Sequence, residues 1–315
     1  MSRRGWMLFA AMSVIWGIPY LLIKVADEGV SVPVLVFART SVGAALLLPI
    51  ALRRRELRVL LPRWRWLVVF ALIEIVGPWL LLSNAERRLS SSMSGLLVAA
   101  VPIIGAVLAR LTGDAERLTV IRWAGLLIGL AGVALLAGPQ VGSGGGWPVT
   151  EVLLTATGYA AGPLIASRKL SDLPGLGMTA VCLGFSAILY APLAAFTLPH
   201  AVPPARVIAS LAVLAAVCTA GAFVLFFMLI AEAGPARATV ITYVNPAVAV
   251  ALGVSVLGEP LTGAIVGSFV LILSGSVLAT RKARRPAGSA PELQAQPTPV
   301  PCPSPADVSK MQDGA

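Results

Sequence analysis

A carboxylate and a guanidinium stand deep inside apolar stretches of this chain. Glu74 lies eight residues past Trp66, which at the helix rise puts it about 12 Å into a hydrocarbon core of about 30 Å. Arg39 lies six residues past Pro33, about 9 Å in from the opposite face, which leaves about 9 Å of height between the two. A charge at such depth costs an apparent ~3 kcal/mol, so each group has to face protein or water. Burial favours the neutral acid and wetting the carboxylate, so Glu74 suits a group that loads and releases a proton. An acid hydrogen-bonded between helices is the plainer account of it. Arg39 suits the anionic end of a bound solute, or else a snorkelling or helix-pairing role.

The other polar-tipped groups at useful depth are Trp16, Tyr20, Tyr159, Tyr243 and Asn245. Each could be a packed core residue; as a set they suit a small amphipathic metabolite better than a bare ion. The chemistry of enzymes is missing. No H-E-x-x-H, G-x-S-x-G or P-loop occurs, His200 is the one histidine, and Cys182, Cys218 and Cys302 form no ligand spacing. No catalytic group, metal or cofactor is therefore expected.

The elements that carry these residues are membrane helices. The chain is 57% hydrophobic and 12% charged, with a mean hydropathy of +0.89, against roughly 25% charged in soluble domains. Apolar spans are expected at residues 6–26, 33–52, 66–84, 92–111, 119–138, 148–166, 178–198, 207–231, 238–257 and 262–280. Their length and lack of alternation exclude barrel strands. The formal charge of +10 does not imply nucleic acid, because the arginines fall between spans rather than on one face. Arg3-Arg4 ahead of an apolar stretch imitates a signal peptide. Trp16-Gly17 and Pro19 interrupt that stretch, however, and no small-x-small site precedes Asp27, so it is read as the first span.

The halves repeat. Glu86, Pro102, Thr119, Gly125 and Gly132 recur as Glu232, Pro246, Thr262, Gly267 and Gly275, at offsets of 142–146 residues; Pro19 recurs as Pro163. Five spans per copy is odd, so the second copy enters the bilayer inverted, the device by which many secondary transporters build two alternating faces. Residues 6–138 and 147–280 form the two copies, and 281–315, rich in Pro, Ala, Ser and Gln, reads as a disordered cytoplasmic tail. Arg3, Arg4, the run Arg53–Arg65, Arg117, Arg122, Arg168, Lys169 and residues 281–285 all fall on one side, which the positive-inside rule makes cytoplasmic. Arg87, Arg88 and Arg206 are outvoted. Both termini are then cytoplasmic. Gly125-x-x-x-Gly129 and Gly263-x-x-x-Gly267 offer small faces for close helix approach, within the chain or in a homodimer.

The run Val14-Ile15-Trp16-Gly17 with Tyr20 and Lys24, then Phe37-Ala38-Arg39, then Asn245-Pro246 and Leu257-Gly258-Glu259-Pro260-Leu261-Thr262, resembles EamA-type members of the drug/metabolite transporter superfamily. The first copy departs from the pattern at residues 113–119, where the Gly-Glu pair is split. The resemblance implies a ten-helix basket whose central cavity is lined mainly by helices three, four, eight and nine. The expected protein is thus an all-α membrane transporter of small organic solutes in the cytoplasmic membrane, working as a proton-coupled exporter. The alternative, a non-transporting receptor or scaffold, would ordinarily carry a soluble module. Among the acids, Asp27, Glu28, Glu86, Glu151 and Glu259 are expected near interfaces, hydrated and ionised, which leaves Glu74 as the titrating group.

Overall fold

A computed structural model describes residues 2–113, 119–142, 145–234, 238 and 240–280. Residues 114–118 of the first-copy turn, the segment 281–315 and Cys302 lie outside the described residues. Among those described, the secondary structure is helical and contains no strand. We number the helices α1 (Arg3–Ala26), α2 (Val32–Arg53), α3 (Leu57–Glu86), α4 (Ser91–Leu111), α5 (Val120–Gly142), α6 (Gly146–Lys169), α7 (Gly175–Phe196), α8 (Ala205–Ala233), α9 (Ile241–Leu257) and α10 (Gly263–Thr280). Nine are long and apolar enough to cross a membrane, and α9 is a shorter apolar helix. Large apolar side chains such as Leu127, Ile188, Phe196 and Val270 project outward along them, as they do where lipid rather than water is the solvent.

Four of these helices are not regular, and in three of them local sequence says why. α1 breaks between Ile15 and Pro19. The Gly17 amide turns back to the Val14 carbonyl, which leaves the Ser13 carbonyl without its usual amide partner. Oriented so that its amide nitrogen faces them, Asn245 donates to that Ser13 oxygen at 3.1 Å and to Ile241 at 2.9 Å. α4 breaks at Ala99–Ala100, just before Pro102, and Ser276 Oγ donates to the Ala99 carbonyl at 3.1 Å. In α3 a π-helical turn spans Leu72–Val76, with the Gly77 amide bonded to the Leu72 carbonyl. Pro78 has no amide to give, so the ladder widens ahead of it. Tyr190 Oη donates to the Val76 carbonyl at 2.7 Å and Thr155 Oγ1 to the Pro78 carbonyl at 3.2 Å. A second π-helical turn, Ala216–Gly221, interrupts α8, 144–145 residues after the first.

The helices associate α5 with α10, α2 with α7, α4 with α9, α3 with α6 and α1 with α8. Exchanging each helix for the one five places along maps this set of pairs onto itself. At the α5–α10 crossing, a methyl group added at Gly125 would stand 2.8 Å from the Gly275 carbonyl oxygen, and one at Gly132 would stand 2.9 Å from the Ile272 amide. Gly129 faces Ile103 and Gly275. Gly263 faces open space, and Gly267 meets only Leu135 at 3.3 Å. The backbones therefore touch at Gly125, Gly129, Gly132 and Gly275, not at the Gly263–Gly267 pair.

Candidate functional site

Five helices bring polar side chains together around Arg39. Arg39 of α2 is only 7% exposed. Its guanidinium carbon lies 3.7 Å from the centroid of the Trp79 ring on α3, and its Nε donates to Thr219 Oγ1 on α8 at 2.9 Å. Thr219 sits in the π-helical turn of α8, and its hydroxyl in turn donates to the Leu214 carbonyl. Tyr159 of α6 shares a side-chain hydrogen bond with Trp79, and it stands within electrostatic reach of Arg39, Glu74 and Glu86. Tyr20 of α1, buried, and Cys218 of α8 also interact electrostatically with Arg39. The indole face and the Thr219 hydroxyl are the partners that the buried guanidinium finds here.

Glu74 lies in the π-helical turn of α3 and is packed against Gly162 of α6, where a β-carbon would overlap its carboxylate. Its Oε2 is buried and has no hydrogen-bond partner among the described residues. Glu74 and Arg39 therefore share the neighbourhood of Tyr159, while the bonded partner of Arg39 is Thr219. Its repeat counterpart, Cys218, occupies the matching π-helical turn of α8.

The remaining anticipated residues divide. Trp16 packs its ring against Phe223 and Phe226 of α8, with centroids 6.0 and 4.8 Å away, next to the α1 break. Asn245 serves that break, as described above. Tyr243 is held apart from the cluster, its hydroxyl 2.7 Å from Thr280 Oγ1 at the end of α10.

The acids expected to be hydrated at the interfaces are mostly not. Glu86 is 0% exposed and Glu151 3% exposed, while the side chain of Asp27 is 6% exposed. Glu151 Oε1 accepts from Asn84 Nδ2 at 2.6 Å. A position near a helix end fixes depth along the membrane normal only; neighbouring helices cover these groups from the side.

Sequence reasoning also missed a carboxylate clamp. Gly258, at φ +67°, ends α9 in the left-handed region where glycine alone is unstrained. The chain turns there so that Glu259 reaches the first turn of α4. Its Oε1 accepts from the Ser91 amide at 2.6 Å, and its Oε2 accepts from the Ser92 amide at 2.9 Å and Ser92 Oγ at 2.5 Å. A carboxylate at a helix N-terminus takes up amides that have no partner in the helix and meets the positive end of its dipole. Gly253 leaves the space, since a β-carbon there would strike both Glu259 and Ser92. The signal was the Ser90–Ser92 run, whose role depends on a glutamate 167 residues away.

The chain is similar to known proteins. The EamA-like transporter family is matched twice, over residues 3–138 and 147–281. The uncharacterized inner membrane transporter YedA of Escherichia coli K12 is 30% identical over 282 residues, covering 85% of this chain and 90% of YedA. The uncharacterized transporter YvbV of Bacillus subtilis 168 is 26% identical over 290 residues, covering 90% and 93%. A solved crystal structure superposes with a TM-score of 0.64 at 23% identity over 89% of this chain and 98% of its own, which speaks for the fold.

Proposed function

Since this chain belongs to the EamA-like transporter family, we propose that it is a proton-coupled exporter of small amphipathic solutes in the inner membrane. We take its two copies to be inverted about the Arg39–Trp79–Thr219 junction and both termini to be cytoplasmic. The observation that carries this reading is that junction: one buried cation bonded to a hydroxyl 180 residues away in the other copy. Interrupted helices near the middle of a bundle mark substrate sites in inverted-repeat carriers; α1, α3, α4 and α8 are the interrupted ones here. The self-mapping helix pairs and the equivalent π-helical turns support two related halves that rock against each other.

In this state the site is filled by its own side chains. Arg39 is covered by Trp79, so substrate has to part the two, presenting an anionic group to the guanidinium and an apolar body to Trp79, Tyr159 and Tyr20. Glu74 beside Tyr159 supplies the group whose charge differs between wet and closed states. The alternative of a non-transporting scaffold gains nothing from such a junction.

A thermal-shift screen of metabolites on the purified protein identifies the solute, and proteoliposomes with an imposed pH gradient then test the mechanism. Arg39→Gln is expected to lower affinity at least about tenfold, the scale of one charge-assisted hydrogen bond. Glu74→Gln is expected to abolish gradient-driven accumulation while solute exchange persists. Undiminished accumulation in Glu74→Gln would leave that residue a structural acid.

A further inference from the structure

Two acids outside the central cluster lack what a buried carboxylate needs. Glu86, the last residue of α3, is fully buried, and neither of its carboxylate oxygens has a hydrogen-bond partner among the described residues. Asp27, one residue past α1, likewise has both oxygens buried without a hydrogen bond. The Arg87 Nε stands 3.8 Å from Asp27 Oδ1, too far for one. The two acids interact electrostatically because Lys24 draws their helices together. Its Nζ donates to the backbone carbonyls of Glu86 and Leu89, so this ammonium bonds to main-chain oxygens, and the Asp27 carboxylate keeps only the 3.8 Å ion pair with Arg87. A cleft of about 300 Å³ lined by Lys24, Asp27, Glu28 and Arg87 opens at Asp27, large enough for several waters.

Two buried carboxylates that act on each other and have no hydrogen-bond donor cannot both remain charged at low cost; one proton held by the pair removes a charge. We propose that Asp27 and Glu86 form a proton-binding site, holding one shared proton loaded from this cleft and separate from Glu74. The surrounding groups set when it lets go. Lys24 and Arg87 face Asp27, while Lys24, Asp27, Glu259, Arg39, Tyr20 and Tyr159 face Glu86; Glu28 is engaged with Arg206 at 2.6 Å. The cations favour release and Glu259 favours retention. Burial pushes Asp27 up to about 7, within the range a cell membrane experiences. On release the proton passes to cleft water and the pair goes from one negative charge to two, with no other bond made or broken. Glu86 then acts on Arg39 through space, which carries the change of charge to the central cluster. The site stands on this geometry; only its use in coupling rests on the transporter reading.

Infrared difference spectra of the full chain in nanodiscs, recorded as the pH is stepped from acid to alkaline, read protonated carboxyl groups without any substrate. The expected result is a carboxyl band that disappears as pH rises, is missing from Asp27→Asn and from Glu86→Gln, and persists in Glu74→Gln. Thermal unfolding gives a second reading. The native state holds a proton that the unfolded chain has released between 3.8 and about 7, so the Tm of the wild type falls across that window and then levels. Asp27→Asn makes the fall shallower. A band that survives both substitutions, or an unchanged Tm slope in Asp27→Asn, overturns the site. Should Glu86→Gln fail to assemble, Asp27→Asn and the wild-type titration decide alone. A band that behaves as expected beside flux indifferent to a pH gradient would retain the site and remove coupling.

Discussion

Asn245 is polar at a depth where polarity suggests a ligand, yet both of its amide contacts are to the chain itself, at Ser13 and Ile241. Asn245→Ala would leave the Ser13 carbonyl unpaired in an apolar surrounding. Thermal unfolding in detergent is expected to show a loss of about 1–2 kcal/mol. Asn245→Asp is expected to do no better, since a carboxylate cannot donate. The same measurement on Glu259→Ala, which strips the acceptor from the Ser91 and Ser92 amides, is expected to show a loss of about 1–3 kcal/mol, whereas Ser92→Ala alone, which leaves both amide bonds in place, is expected to retain most of the wild-type value. These residues show what sequence could and could not reveal. Counting along a helix locates Glu74 and Arg39 in depth, because the rise per residue is fixed. It says nothing about which way a side chain turns or who meets it. Thr219 and Trp79 are therefore invisible as partners of Arg39, and Glu86 passes for a hydrated end residue although it is fully buried.

Among the elements, the π-helical turns and the α5–α10 crossing are the most constrained. The crossing brings Gly125, Gly129 and Gly132 onto Gly275 and its neighbours, with no room for a β-carbon at Gly125 or Gly275. Gly275→Leu is therefore expected to cost at least about 1–3 kcal/mol of thermal stability or to prevent assembly. Gly263→Leu, in open space, is expected to be neutral. Comparable damage at Gly263, accompanied by a change in oligomeric mass, would mean that a second copy covers that face. The G-x-x-x-G spacing was legible in the sequence at both places. Only packing decides which copy of the spacing is used, because helices α5 and α10 cross at one height. The break in α1 was legible at Pro19; those near Pro78 and Pro102 were not, since Pro49, Pro163 and Pro192 stand inside unbroken helices, and neither was the π-helical turn in α8, with no proline near it.

At the scale of the whole chain, ten helices and an internal repeat were readable from hydropathy and from recurring Pro, Gly and Glu. The basic segments set the expected sidedness. Reporter fusions after Arg65 and Arg285 are expected to read cytoplasmic and one at Gly144 external; an external reading after Arg285 would mean that a span has been miscounted. The pairing of helices across the two copies has a consequence for how the protein is made. Ser13 waits for Asn245, Arg39 for Thr219, and Ser91 and Ser92 for Glu259. At roughly 5–20 residues per second, the ribosome needs on the order of 10–50 s to cover the distance from Ser13 to Asn245. Until then the first half sits in the bilayer with a bare carbonyl, a guanidinium that lacks its hydroxyl partner and uncapped amides. A nascent first half is then a substrate for quality control, and a truncated chain ending near residue 142 is expected to be degraded rather than to accumulate as a half-transporter.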